Sequence, residues 1–86
     1  MSNKTSFRLV VTLAGKFLQD NRFAVGKGCK AIDVKDAMDS AMGGKFNADA
    51  LTALKWAGCT VLVVKGTTSH DVVDALTALK WVMGEV

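Results

Sequence analysis

The stretch Asp33-Val-Lys-Asp-Ala-Met-Asp-Ser-Ala-Met-Gly-Gly44 is where the fold turns one way or the other. Read locally, it is a helix. Asp33 stands where an N-cap accepts first-turn amides, Asp36 lies in the first turn, and Gly43-Gly44 terminates. Read as a strand around Ala37 to Met42, its two glycines become a hairpin turn leading into Lys45-Phe46. The periodicity slightly prefers the helix. The helical reading leaves a smaller sheet with an extra helix, while the strand reading enlarges the sheet.

On the N-terminal side, Ser6 to Leu13 alternates. Phe7, Leu9, Val11 and Leu13 share one face and Arg8, Val10 and Thr12 the other, the pattern of a half-buried strand broken by Gly15-Lys16. Asp20 or Asn21 is placed to cap a following helix with Ala24, Val25, Gly28, Cys29, Ala31 and Ile32 along one stripe. Gly26 and Gly28 weaken that helix by ~1 kcal/mol each. The alternative is a short strand from Phe23 to Gly26.

On the C-terminal side, Asn47 opens a helix with Leu51, Leu54 and Ala57 inward, and Gly58 ends it. Val61-Leu62-Val63-Val64 has the composition of an inner strand, and Gly66-Thr67 turns the chain. Thr68-Ser69-His70-Asp71 approximates a capping box. A final helix follows with Val72, Leu76, Leu79 and Met83 as its apolar stripe. The octapeptide Asp49-Ala-Leu-Thr-Ala-Leu-Lys-Trp56 recurs identically as Asp74 to Trp81, which reads as two helices of similar material. Two copies fall short of a solenoid.

The 86 residues are half apolar and 22% charged, so one folded domain over 1–86 is expected rather than a disordered or fibrous chain. No apolar run reaches the roughly 18 residues of a membrane-spanning helix. The polar start, Met1 to Ser6, leads us to expect no secretory signal. Cys29 and Cys59 form no C-x-x-C pair and His70 is the sole histidine, which argues against a zinc site or disulfide framework. Free thiols, a cytoplasmic location and no cofactor are expected. The net charge of +3 is spread over single lysines and the isolated Arg8 and Arg22. That footprint does not favour nucleic acid.

Gly44-Lys45-Phe46-Asn47-Ala48-Asp49-Ala50-Leu51, with the short helix, Val-rich strand and final helix after it, resembles the second half of HPr, the small phosphocarrier of the sugar phosphotransferase system. Val11-Thr12-Leu13 matches that family's first strand, and Arg22-Phe23-Ala24 stands at its R-P-A motif. The resemblance covers nearly the whole chain. It implies an α+β open-faced sandwich, a four-stranded antiparallel sheet with three helices on one face, and a strand rather than a helix over residues 33–42.

The position of the family's phosphoacceptor histidine holds Asp20, or Gln19 if one residue is inserted in the loop. Phe23 replaces the helix-opening proline, and Ala50 stands at the regulatory serine. The resemblance therefore implies a divergent, non-enzymatic relative without the phosphohistidine. Its partners would be proteins, including components of that system, met through Phe17, Gln19, Asp20, Arg22, Phe23 and Leu51. Two alternatives stand beside this: a phosphocarrier using Asp20 as an unusual acceptor, and a small basic nucleic-acid-binding module.

Overall fold

The computed structural model describes residues 3–86; Met1 and Ser2, part of the polar start, lie outside the described residues. Strands β1 (Lys4–Leu13) and β2 (Lys16–Gly26) form a hairpin. Its turn is Ala14-Gly15, with φ of +51° and +80°, and Leu13 faces Lys16 across it. Positive φ at both central residues matches the twist of the flanking strands. Helices α1 (Ala31–Ala41) and α2 (Ala48–Trp56) follow, then β3 (Thr60–Lys65), β4 (Thr68–Asp71) and α3 (Ala75–Glu85).

The strands lie in the order β2-β1-β3-β4, and every neighbouring pair is antiparallel. The fold is α+β: an open-faced sandwich with four antiparallel strands and three helices. Phe7, Leu9 and Val11 of β1, Phe23 and Val25 of β2, and Val61 and Val63 of β3 form the sheet's inner face. They pack against Val34, Met38 and Ala41 of α1, Leu51 of α2, and Ala78 and Val82 of α3. Phe7 and Phe23, paired across the strands, stack at 5.4 Å, and Trp81 meets Phe7 edge-on at 6.2 Å. Such pairs add to the burial of area.

Three segments differ from the expectation. The helix expected after Asp20 or Asn21 is strand as far as Gly26. Pairing with β1 buries Phe23 and Val25 and keeps Asp20, Arg22 and Ala24 exposed, a period of two that the apparent helical stripe conceals. The strand implied for residues 33–42 is the helix α1, as local periodicity preferred. Val34, Met38 and Ala41 share its buried stripe, and the Asp33 carboxylate accepts the Lys30 amide at 3.0 Å. Gly43 and Gly44, at φ +68° and +84°, terminate α1 instead of turning a hairpin, and the Gly44 amide donates to the Asp39 carbonyl. Finally, Thr68–Asp71 is the fourth strand, not a cap. The cap of α3 is Asp74, whose carboxylate accepts the Thr77 amide at 2.7 Å.

The repeated octapeptide enters its two helices differently. Asn47 caps α2, so Asp49 lies in the first turn, whereas Asp74 is itself the cap of α3. The two helices also bury different faces. Leu51 is buried in α2, but its counterpart Leu76 is exposed. Ala53 is exposed, but its counterpart Ala78 is fully buried. The expected core role of Leu76 is therefore corrected: the inner stripe of α3 is Ala75, Ala78 and Val82, with Leu79 half-buried beside it.

Candidate functional site

Among the described residues, the sheet's other face carries no helix. Register places Ser6, Arg8 and Val10 of β1 there, opposite Ala24, Arg22 and Asp20 of β2 on one side. On the other side Arg8 and Val10 face Val64 and Leu62 of β3. Val10 is buried even here, flanked by Asp20 and Leu62.

Arg8 reaches diagonally across the hairpin to Asp20. Its Nε donates to Oδ1 at 2.9 Å, and its Nη2 donates to Oδ2. This two-pronged geometry is the strong form of the guanidinium–carboxylate pair. The hydrogen bonds from Arg8 hold the Asp20 carboxyl below the usual aspartate range, and the charges of Arg8 and Arg22 act in the same direction. The same pair raises Arg8 above the ordinary arginine value. Both side chains remain well exposed, so the pair orients the face more than it stabilises the fold. The Arg22 side chain makes no hydrogen bond or ion pair among the described residues. It lines a depression of about 290 Å³ with Ser6, Phe7, Arg8, Val64 and Gly66.

The six residues expected at the site do not converge. Asp20 and Arg22 lie on the uncovered face, two residues apart on one strand. Asp20 caps no helix, because none begins there. Phe17 sits exposed near the hairpin tip with its neighbour Leu18. Gln19 pairs with inward-facing Val11 and borders a cavity of about 380 Å³ beside α2, with Met42, Lys45, Ala50, Ala53 and Leu54. Phe23 and Leu51 are largely buried members of the core. Arg8 was not singled out from sequence. The signal was there in the alternation of residues 6–13, which sets it on the polar face. Its partner becomes visible only when Ala14-Gly15 is read as a hairpin turn.

Among the described residues, no group of three or more His, Cys, Asp or Glu side chains could hold a metal ion. Cys29 and Cys59 are free and half-buried. His70 stacks on Trp81 at 5.2 Å and 9° from parallel, with its Nε2 buried and without a hydrogen-bond partner. Among the described residues, no helix is long and apolar enough to cross a membrane.

No family model, no characterised protein and no solved structure matches the chain. Nothing in these comparisons points to the HPr-like family.

Proposed function

We propose that the chain is a non-enzymatic protein-binding module that docks a partner through β2 and the adjoining uncovered sheet face. Arg22 is the observation behind this reading. It is an exposed guanidinium, free of any hydrogen bond or ion pair among the described residues, on the same strand as the exposed apolar Phe17 and Leu18. A partner offering a carboxylate beside apolar side chains would complement that strand. The half-buried free thiols fit a module of the reducing cytoplasm.

The phosphate-accepting alternative finds no support at Asp20. Both its carboxylate oxygens already accept from Arg8, and aspartyl phosphorylation draws on Mg²⁺ with further carboxylates close by. The link to the phosphotransferase system weakens with it, since the expected helix start at that loop is a strand. Nucleic acid is disfavoured because the acidic Asp20 and Asp71 lie on the uncovered face and only Phe17 offers a ring along β2 outside the core.

The test is cross-linking capture from the source cells with wild-type chain, Arg22→Glu, and Lys80→Glu on the helical side. A partner held by wild type and Lys80→Glu but lost by Arg22→Glu is expected. Capture that is indifferent to Arg22→Glu overturns the reading. Incubation with phosphoenolpyruvate and the general phosphotransferase enzyme should add no phosphoryl mass.

A further inference from the structure

We propose that the partner of the β2 edge is a second copy of this chain, paired antiparallel about a two-fold axis at Asn21 so that two four-stranded sheets become one. This inference deepens the protein-binding reading and rests on it.

The sheet has two edges, β2 and β4. β4 has four residues, short enough to be a poor template. β2 has eleven, and at ~3.4 Å per residue it runs ~37 Å, close to the 40 Å longest dimension of the domain. A long edge without proline presents a row of backbone groups for pairing unless its side chains forbid it. Here the side chains select one register.

A dimer that keeps all helices on one side must pair outer-face residues with outer-face residues. Centring the axis on Asp20 sets Asp20 against its own copy, and centring it on Arg22 sets arginine against arginine. Both place like charges directly opposite. Centring it on Asn21 sets Asp20 against the second copy's Arg22, twice by symmetry. Each Asp20 then lies between Arg8 of its own chain and Arg22 of the other, and the unpaired guanidinium gains its carboxylate.

The helical side leaves room for this approach. Beside β2 runs a groove of about 530 Å³ whose α1 wall is Ala37, Ser40 and Ala41, all small. Asn21 does not project into the axis as an unsatisfied amide, because its Nδ2 already donates to the Ala41 carbonyl at 2.6 Å.

Sedimentation velocity tests the pairing by charge swap. The wild-type chain is expected to sediment at twice its 9.1 kDa at ~100 µM, above the range of micromolar interfaces. Arg22→Asp and Asp20→Arg should each raise the dissociation constant at least ~10-fold, while an equal mixture of the two restores a dimer. Restoration cannot come from a folding defect, since only complementary copies recover. The Arg22 side chain has no intramolecular bond to lose, so Arg22→Asp alone reads out the proposal if Asp20→Arg fails to fold. A monomeric wild type, an unweakened Arg22→Asp dimer, or a mixture of folded variants that stays monomeric overturns the self-pairing. The broader protein-binding reading falls only if the capture experiment fails as well.

Discussion

Arg8 and Arg22 stand directly opposite each other on β1 and β2, yet only Arg8 has a carboxylate. Like charges in that position oppose pairing. The hairpin tolerates them because Asp20, one diagonal step away, takes Arg8 in a two-pronged contact. The charge of Arg22 is left facing solvent at the sheet edge, and this makes the hairpin an asymmetric surface.

Acid sensitivity should come from Asp20 and Asp74. Hydrogen bonds from Arg8 lower the Asp20 carboxyl, and the backbone amide of Thr77 lowers Asp74. The unfolded chain therefore binds more protons than the folded one in this range. Their stabilisation is complete above the ordinary aspartate value and is lost as pH falls through the depressed folded values. Urea midpoints should hold steady from neutrality to about pH 5 and decline below it. A double variant, Asp20→Asn with Asp74→Asn, should show a shallower decline; an unchanged slope would remove these two groups as its cause.

The twin leucines of the repeat should respond unequally to truncation. Leu51 is 3% exposed and Leu76 59%. Leu51→Ala is expected to destabilise by ~2–5 kcal/mol. Leu76→Ala should stay within about 0.5 kcal/mol of wild type. Equal losses in chemical denaturation would show that the two helices dock in the same way after all.

Ala14 holds φ +51° beside Gly15 in the β1–β2 turn. A left-handed conformation costs a residue with a Cβ roughly 1–2 kcal/mol, and asparagine tolerates it better than alanine. Ala14→Asn should raise stability by about 0.5–1 kcal/mol. Ala14→Val should lower it. The thermal midpoints of the two variants should move in opposite directions.

The two tryptophans should separate spectroscopically. Trp56 is 89% exposed at the end of α2, whereas Trp81 is packed between His70 and Phe7. Acrylamide should quench the emission of Trp81→Phe, which retains only Trp56, far more than that of Trp56→Phe. Matching quenching constants would mean that Trp81 is not enclosed.

The pattern of the chain was legible wherever a local signal and its packing agreed. Strand β1 follows from the alternation of Phe7, Leu9 and Val11. Asn47 caps α2 as its side chain suggests, accepting the Ala50 amide at 2.9 Å. Val61 to Val64 lies in an inner strand, and the local periodicity with Gly43-Gly44 marks the helix α1, although it begins at Ala31 with Lys30, not Asp33, at its N-cap. Of the expected site, Asp20 and Arg22 do sit together on an exposed surface. Phe23 was expected at a helix start because the resemblance set it at the helix-opening proline, whereas its register on β2 opposite Phe7 turns it into the core.

Local patterning settled β1, α2, β3 and α3, because caps, turns and apolar periods act over a few residues, but it read part of β2 as a helix and β4 as a cap. It could not settle which face of each element looks inward. The identical octapeptides show why: the same residues bury Leu51 in α2 and Ala78 in α3, since α2 packs against β3 while α3 packs against α1 and β4. The site needed the folded chain for the same reason. Arg8 and Asp20 are twelve residues apart, and only the closed β1–β2 hairpin brings a guanidinium and a carboxylate into contact while leaving Arg22 without one.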